Sequence, residues 1–474
     1  MIDTQAIRKK VLDLALRGKL TEQRPEDGTA AELYRQIITE NKYRKNGKSI
    51  QQYPIEEEMI PCSIPDNWIW TKVGNLITLV SGTDFKPEDY NEAGNGLPYM
   101  TGASNIDGDQ LIINRWTTVP RNISYKGDLL LVCKGSGFGK LVLNNVPEVH
   151  IARQFMAIRP FDGLNVNYIK AVMENSFNTI KEAGKGLIPG VDRETVLNLY
   201  LPLPPLAEQQ RIVEKIESLF SVLCTIDTLQ SQYQDNLATL KSKIIDAGIQ
   251  GKLTEQLPED GTAEELYHQI QQEKLALEKA GKIKKSKPLP PISDEEKPFD
   301  IPDNWKWVRW GDIVNIVSAR RVHQSDWKNN GIPFYRAREI AKLAETGYVD
   351  NDLFISEELY NEYAESGVPR YGDLMVSAVG TLGKTYVVQP DDKFYYKDAS
   401  VLCFENYGKV SPYYLSYLMR SQLMKKQIES NSGGTTVDTL TMVRMVQYIL
   451  PLPPLAEQKR IVTKLEELLP LCEG

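Results

Sequence analysis

The sequence predicts an α/β (α+β) protein with two duplicated domains separated by a long antiparallel helical coiled-coil pair, arranged with circular pseudo-two-fold symmetry. Three observations predict it. The chain is written nearly twice. A stretch with apolar residues every three or four positions lies between the copies. The regions flanked by the repeated segments carry short β-type runs such as LITLV, LLLVC and TYVVQ, broken by Gly, Asn and Asp turns.

The repeat is the strongest feature. GKLTEQRPEDGTAAELYRQI from Gly18 returns as GKLTEQLPEDGTAEELYHQI from Gly251, and IPDNWIW from Ile64 returns as IPDNWKW from Ile301. KGDLLLVCKGSGFGK from Lys126 has a looser counterpart in YGDLMVSAVGTLGK from Tyr371. LPLPPLAEQQRIVEKIESL from Leu201 returns as LPLPPLAEQKRIVTKLEEL from Leu450. A period of about 240 residues is a duplicated domain pair, far longer than a solenoid repeat. The helical segments are near copies while the regions between them keep only a skeleton, which points to a constant scaffold carrying a variable surface. Aligned on the complete middle copy, Gly474 falls near Cys224 and Met1 near Gln234, so the two ends together rebuild one middle segment.

In chain order, residues 1–62 form an N-terminal helical segment, 63–203 a first α/β domain, 204–298 the central long-helix region, 299–452 a second α/β domain, and 453–474 a C-terminal helix. Pro204-Pro205 is a natural helix start. After it, Ile212, Ile216, Leu219, Leu223, Ile226, Leu229 or Gln230, Tyr233, Leu237, Leu240, Ile244 and Ala247 make an a/d seam. Some 40 residues at 1.5 Å each span roughly 60 Å. Gly251 suits the left-handed position that ends a helix. The partner helix is split: Ile461, Leu465 and Leu468 begin it, and Ile7, Val11 and Leu14 finish it. Thr29 with Glu32, and Thr262 with Glu265, are capping boxes that start a further helix in each copy. Lysines between Lys282 and Lys287, followed by Pro288, Pro290 and Pro291, mark a solvated linker. One helix is expected late in each α/β domain, at Tyr168–Ile180 and Tyr413–Ile428. Trp68, Trp70, Trp305 and Trp307 are expected in the core.

Composition narrows the function classes. No apolar stretch approaches the roughly 20 residues of a membrane span, and Met1–Lys10 lacks a secretory core, so the cytoplasm is the expected location. Five scattered cysteines without a CxxC pair, and three distant histidines, predict neither a disulfide framework nor a metal site. No cofactor is expected. The net charge of −7 argues mildly against nucleic acid, although a local patch can bind phosphate in an acidic chain. Ala378–Thr385 comes nearest to a phosphate-binding loop, but alanine stands where the first glycine belongs. Its counterpart Gly135–Lys140 has no Ser or Thr after the lysine.

Taken together, the doubled LPLPPLAEQ, the doubled GKLTEQ, the doubled IPDNW-x-W and the GSGFGK and VGTLGK turns resemble the specificity subunit of type I restriction–modification systems. The resemblance runs through essentially the whole chain. It implies a non-catalytic subunit in which each variable region is a target-recognition domain for a few base pairs of double-stranded DNA. The helical pair would set the gap in a bipartite site and dock two methyltransferase subunits. ATP-dependent restriction subunits would join through the complex. A non-DNA coiled-coil adaptor remains the alternative, and a nucleotide-dependent helicase or a nuclease a more distant one.

Base edges are read by rigidly held donors and acceptors, and phosphates by lysine, arginine, hydroxyls or free N–H groups. Four loops recur in both domains. The first holds Ser81, Thr83 and Lys86, against Ser318, Arg320 and Arg321. The second holds Thr101, Ser104 and Asn105, against Arg336 and Arg338. The third, the glycine turn, holds Lys134, Ser136 and Lys140, against Ser377, Thr381 and Lys384. The fourth holds Lys185 and Arg193, against Ser432, Thr435 and Thr436. Each Ser, Thr or Lys is equally at home in a solvated turn. The arginine pairs stand out, because clustered guanidiniums repel one another without an anion.

Overall fold

The computed structural model describes residues 1–44, 52–135, 137–183, 190–364, 367–430 and 439–473. The chain divides into two compact units, Met1–Ser231 and Gln232–Gly474. Of the expected site residues, Ser136, Lys185, Ser432, Thr435 and Thr436 lie outside the described residues.

In the first unit, Ile69–Lys72 pairs antiparallel with Tyr200–Leu203, so the variable region opens and closes on one two-stranded ribbon. A four-stranded antiparallel sheet lies between, in the order Ile77–Ser81, Phe155–Pro160, Leu129–Val132, Leu141–Leu143. A second sheet runs Trp116–Thr117, Leu97–Met100, Glu148–Ile151, Ile123–Tyr125, with its central pair parallel. The unbroken apolar run Leu129–Val132 follows from burial on both faces. Side chains alternate across a strand. Leu129 and Leu131 accordingly join Tyr168, Val172 and Phe177 of the helix Val166–Ala183, whereas Leu130 and Val132 join Met100, Val149 and Ile151 of the second sheet.

The second unit repeats the plan. Lys306–Arg309 pairs with Ile449–Leu452, and the four-stranded sheet runs Val314–Ser318, Val401–Asn406, Leu374–Ser377, Thr385–Val387. Its second sheet has three strands, Phe354–Ile355, Ile332–Tyr335 and Tyr395–Tyr396. A helix, Ala337–Thr346, follows the middle one. Where the sequence suggests one helix at Tyr413–Ile428, the structure has two, Pro412–Arg420 and Gln422–Ser430. Ser421 divides them. Its hydroxyl donates to the Leu418 carbonyl and accepts from the Met424 amide, ending one helix and capping the next.

The central helix is continuous from Leu206 to Ile249. In the first unit, Thr4–Leu16 runs antiparallel to its early turns. The Ile2 amide donates to Gln230 and Arg8 pairs with Asp227 at 3.1 Å, while Val11, Leu12 and Ala15 share a core with Ile212 and Ile216. In the second unit, Leu455–Leu468 does the same for the later turns. Gly248 admits Ile461 and Leu465, and Lys241 reaches Glu473. The expected seam is only partly covered: Ile212, Ile216 and Leu223 are buried, but Leu229, Tyr233 and Leu240 are exposed.

The repeated motifs meet at a buried carboxylate in each unit. Glu208 is fully buried; it accepts from Trp68 Nε1 at 2.8 Å, Thr21 Oγ1 at 3.1 Å and Gln23 Nε2 at 2.6 Å. Glu457 is equally buried and accepts from Trp305 Nε1 at 2.8 Å and Thr254 Oγ1 at 3.0 Å. The neighbouring glutamine ties the end of the ribbon to the start of the late helix. Gln209 donates to the Pro204 carbonyl and accepts from the Asn165 amide, as Gln458 does with Pro453 and Ser411. Arg211 then pairs with Asp27, and Arg460 with Asp260. Gly18 at φ +65° and Gly251 at φ +71° end their helices in the left-handed region, and any Cβ there would collide with Pro65 or Pro302. GKLTEQ, IPDNW and LPLPPLAEQ are therefore parts of one clamp. Trp68 and Trp305 are core residues as expected; Trp70 and Trp307 are half-buried beside them.

Two predictions follow from these buried acids. Glu457→Ala should leave the Trp305 and Thr254 donors unpaired and cost about 2–4 kcal/mol, read as a lowered denaturation midpoint, with Glu457→Gln losing less. The second concerns Asp373, buried beside Glu405, where its counterpart Asp128 instead holds Arg159 at 2.7 Å. Burial pushes the Asp373 carboxyl from an ordinary 3.8 up to about 6. Over that window the folded chain keeps a proton that the unfolded chain releases, so stability falls as pH rises through it. Asp373→Asn should flatten that slope in pH-dependent unfolding.

Candidate nucleic-acid interface

Three of the four expected loops close around one turn in the first unit, with the tail of the fourth behind them. The turn is Ala152–Gln154, between the strands Glu148–Ile151 and Phe155–Pro160. The first loop is sewn to it by Gly82 N to Phe155 O and Thr83 N to Ile151 O, and the second by Ala152 N to Met100 O. The third is joined by Cys133 N to Gln154 O, and Val191, beside Arg193, binds the Cys133 carbonyl. The second unit repeats this around Lys397–Ser400. Ala399 N donates to Ser318 Oγ, Lys397 N to Tyr335 O, Ala378 N to Ser400 O, and Leu440 N to Ala378 O. This turn is one residue longer, and Ala399 at φ +60° is the one non-glycine residue at positive φ among the described residues.

Within that frame the expected residues separate by role. Ser81, Lys86, Ser104, Lys134 and Lys140 are exposed in the first unit, as are Arg320, Arg321, Arg338 and Thr381 in the second. Thr83 is half-buried and accepts from Asn122 at 2.5 Å. Thr101 and Ser318 are half-buried as well, and Lys384 pairs with Glu345 at 3.0 Å.

Three candidates serve the frame itself. Asn105 is fully buried: its carbonyl accepts from the Thr101 and Gly102 amides, and its amide donates to Ile112 O and Asn114. No group on it is left for a ligand. Ser377 is likewise buried, donating to Thr381 O and accepting from Lys384 N, which shapes the glycine turn. Arg193 spends a guanidinium N–H on Leu79 O at 2.7 Å. The glycine turn of the second unit joins two antiparallel strands, Leu374–Ser377 and Thr385–Val387, whereas a phosphate-binding loop leads into a helix.

The arginine pairs carry their own anions, which answers the argument from repulsion. Arg336 and Arg338 both bind Glu339, at 2.9 and 2.7 Å, and both reach Asp352. Glu339 is buried, and these two guanidiniums with the Arg336 amide hold its carboxyl down at about 2 despite the burial. Arg336 is mostly covered, while Arg338 leaves 68% of its side chain exposed. Arg320 lies over the Tyr363 ring at 5.5 Å, and Arg321 donates to Asp398 at 2.9 Å.

The central turn itself escapes the sequence reading. Arg153 and Gln154 are both exposed at the point where the loops converge. ARQ in one copy and KDAS in the other share no residue at a corresponding position and differ in length, so the repeat gives no signal there. The available clue is their place between two apolar runs, HI and FMAI, at the end of paired strands.

The comparisons with known proteins agree with one another. The family model described as the type I restriction modification DNA specificity domain matches residues 65–232 and again 302–472. The type I restriction enzyme EcoAI specificity subunit of Escherichia coli is 29% identical over 98% of this chain and 89% of its own length. The MjaVIII specificity subunit of Methanocaldococcus jannaschii is 23% identical over 90% of this chain and 92% of its own. A solved chain from work on the assembly and conformational transition of the type I system superimposes with a TM-score of 0.61 at 18% identity. It covers 87% of this chain and 93% of that one, and it shares the fold. With the specificity domain matched twice, and each match running from the opening ribbon through the buried glutamate that follows it, the chain belongs to the type I restriction–modification DNA specificity family.

Proposed function

We propose that this chain is a non-catalytic DNA-recognition subunit. Each unit reads one half of a split site in double-stranded DNA through the loops around its central turn. The observation that carries the reading is the recurrence, in two units of very different loop sequence, of the same loops sewn to the same turn. The frame is constant where it is bonded and variable where it is exposed, which suits a scaffold for different base sequences. The exposed lysines and Arg338 supply phosphate contacts, and the net charge of −7 leaves the attraction local.

The long helix, with its two antiparallel partners as a coiled-coil pair in pseudo-two-fold arrangement, acts as the ruler between the half-sites. Val222 and Leu229, seven apart in the first unit's stretch of that helix, are exposed, and so are Tyr233 and Leu240, seven apart in the second unit's. Each pair belongs to the docking face for one of two methyltransferase subunits, and ATP-dependent restriction subunits join through that complex. The work takes place in the cytoplasm, and the chemistry belongs to those partners. A non-DNA adaptor would use the same exposed residues but has no need of two loop platforms.

A long-read methylation map of the host, with the gene intact and deleted, tests the reading directly. One class of methylated adenines in a two-part motif should vanish on deletion. An unchanged map, with the methyltransferase partner expressed, would retire the proposal. Four residues inserted after Gln232, between the stretches bonded at Gln230 and Lys241, should add about 6 Å and lengthen the gap by about two base pairs. An unchanged gap would mean that another element sets the spacing. Arg338→Ala should weaken the half-site read by the second unit and spare both the fold and the other half. Arg336→Ala should instead cost about 2 kcal/mol of stability by uncovering buried Glu339.

A further inference from the structure

Each unit pairs one arginine with an aspartate across the same two loops, Nε being the nitrogen nearest the carboxylate, with the charges exchanged. In the first unit Arg153 on the central turn binds Asp84 on the first loop, with Nε 2.6 Å from the carboxylate, and the Arg153 amide donates to the same aspartate at 3.0 Å. In the second unit Arg321 on the first loop binds Asp398 on the central turn, with Nε at 2.9 Å. The positions correspond. Counting from the strand ends Ser81 and Ser318, Asp84 and Arg321 are both third. Either way the cation and the anion face each other between the turn and the loop.

The geometry of the guanidinium is the informative part. An arginine that salt-bridges for stability usually offers both of its terminal nitrogens, or one with Nε, to a carboxylate. Here the carboxylate lies nearest Nε in both, hydrogen-bonded to it in Arg321, and the terminal nitrogens make no hydrogen bond among the described residues. The side chains are 73% and 69% exposed, at the centre of the loop platform. A guanidinium fixed at Nε presents its two terminal N–H groups in a set direction. Two parallel donors match the O6 and N7 acceptors of guanine in the major groove. The adjacent carboxylate also cancels the charge, which removes most of the pull toward phosphate and leaves directional hydrogen bonding as the main contribution.

We infer that Arg153 and Arg321 each read one guanine, in the half-sites of the first and second units respectively, and that Asp84 and Asp398 are positioning residues that aim them. This inference rests on the DNA-recognition reading above. The exchange has a consequence of its own. The guanidinium enters from the turn in one unit and from the first loop in the other, so the guanines occupy different places in the two half-sites.

The test is selection from a randomised duplex library by the full chain purified with its methyltransferase partner. Wild-type protein should enrich a split motif with an invariant guanine in each half. Arg153→Ala should make one guanine of the first half degenerate, a loss of roughly 5- to 150-fold in discrimination at that base pair, and leave the second half unchanged. Arg321→Ala should do the converse. Asp84→Asn, which keeps Arg153 but loosens its aim, should give a smaller loss at the same base. A motif unchanged by Arg153→Ala and Arg321→Ala overturns the inference. So does equal weakening at every position, the mark of a phosphate contact. Failure of the wild-type protein to enrich any split motif would bring down the DNA-recognition reading itself, and this inference with it. Exposed pairs of this kind contribute little to stability, so the variants should fold, and an unaltered unfolding midpoint checks that they do.

Discussion

A fully buried carboxylate that must find donors organises each unit. Glu208 has no access to water, and an acid in that position is tolerable only with its oxygens satisfied. The donors come from two places far from it in sequence: Trp68 ahead of the variable region, and Thr21 and Gln23 after the first helix. Satisfying one side chain therefore fixes the long helix, the opening ribbon and the N-terminal segment against one another. Glu457 repeats this with Trp305 and Thr254, and burial pushes its carboxyl up against the pull of those donors. GKLTEQ, IPDNW and LPLPPLAEQ recur because each is one side of this arrangement.

This explains which parts of the fold were legible in the sequence. The frame is built from side chains that bind one another, so it is written nearly the same twice and the duplication exposes it. The helix ends at Gly18 and Gly251, the capping boxes at Thr29 and Thr262, and the buried tryptophans all follow from local chemistry. The division at Ser421 does not, because a serine inside an apolar rhythm interrupts a helix only when its hydroxyl turns back to the chain.

The binding surface was less legible for a related reason. The sequence marks residue types that can contact DNA, but burial decides which of them are available. Asn105 and Ser377 have the right chemistry and spend it inside their own turns. Arg336 and Arg338 looked like a cation cluster in need of a ligand; Glu339 and Asp352, one and fourteen residues beyond Arg338, neutralise it. The central turns carry no repeated residue, and only the backbone bonds of three neighbouring loops identify Arg153 and Asp398 as equivalent in place.

The two-stranded ribbon has a thermodynamic consequence. Because Ile69 lies opposite Leu203, and Lys306 opposite Leu452, each variable region leaves the frame and returns to it at adjacent points. To the frame, everything between is a closed loop. Closing a loop depends only on the logarithm of its length, and even a doubling costs about 0.6 kcal/mol. The frame is thus nearly indifferent to how many residues a variable region contains, or to their order, provided that its ends arrive at the ribbon. An added strand on one side, an added helix on the other, or a turn longer by one residue at Ala399 can be accommodated without disturbing the clamp that holds the units in register with the helix.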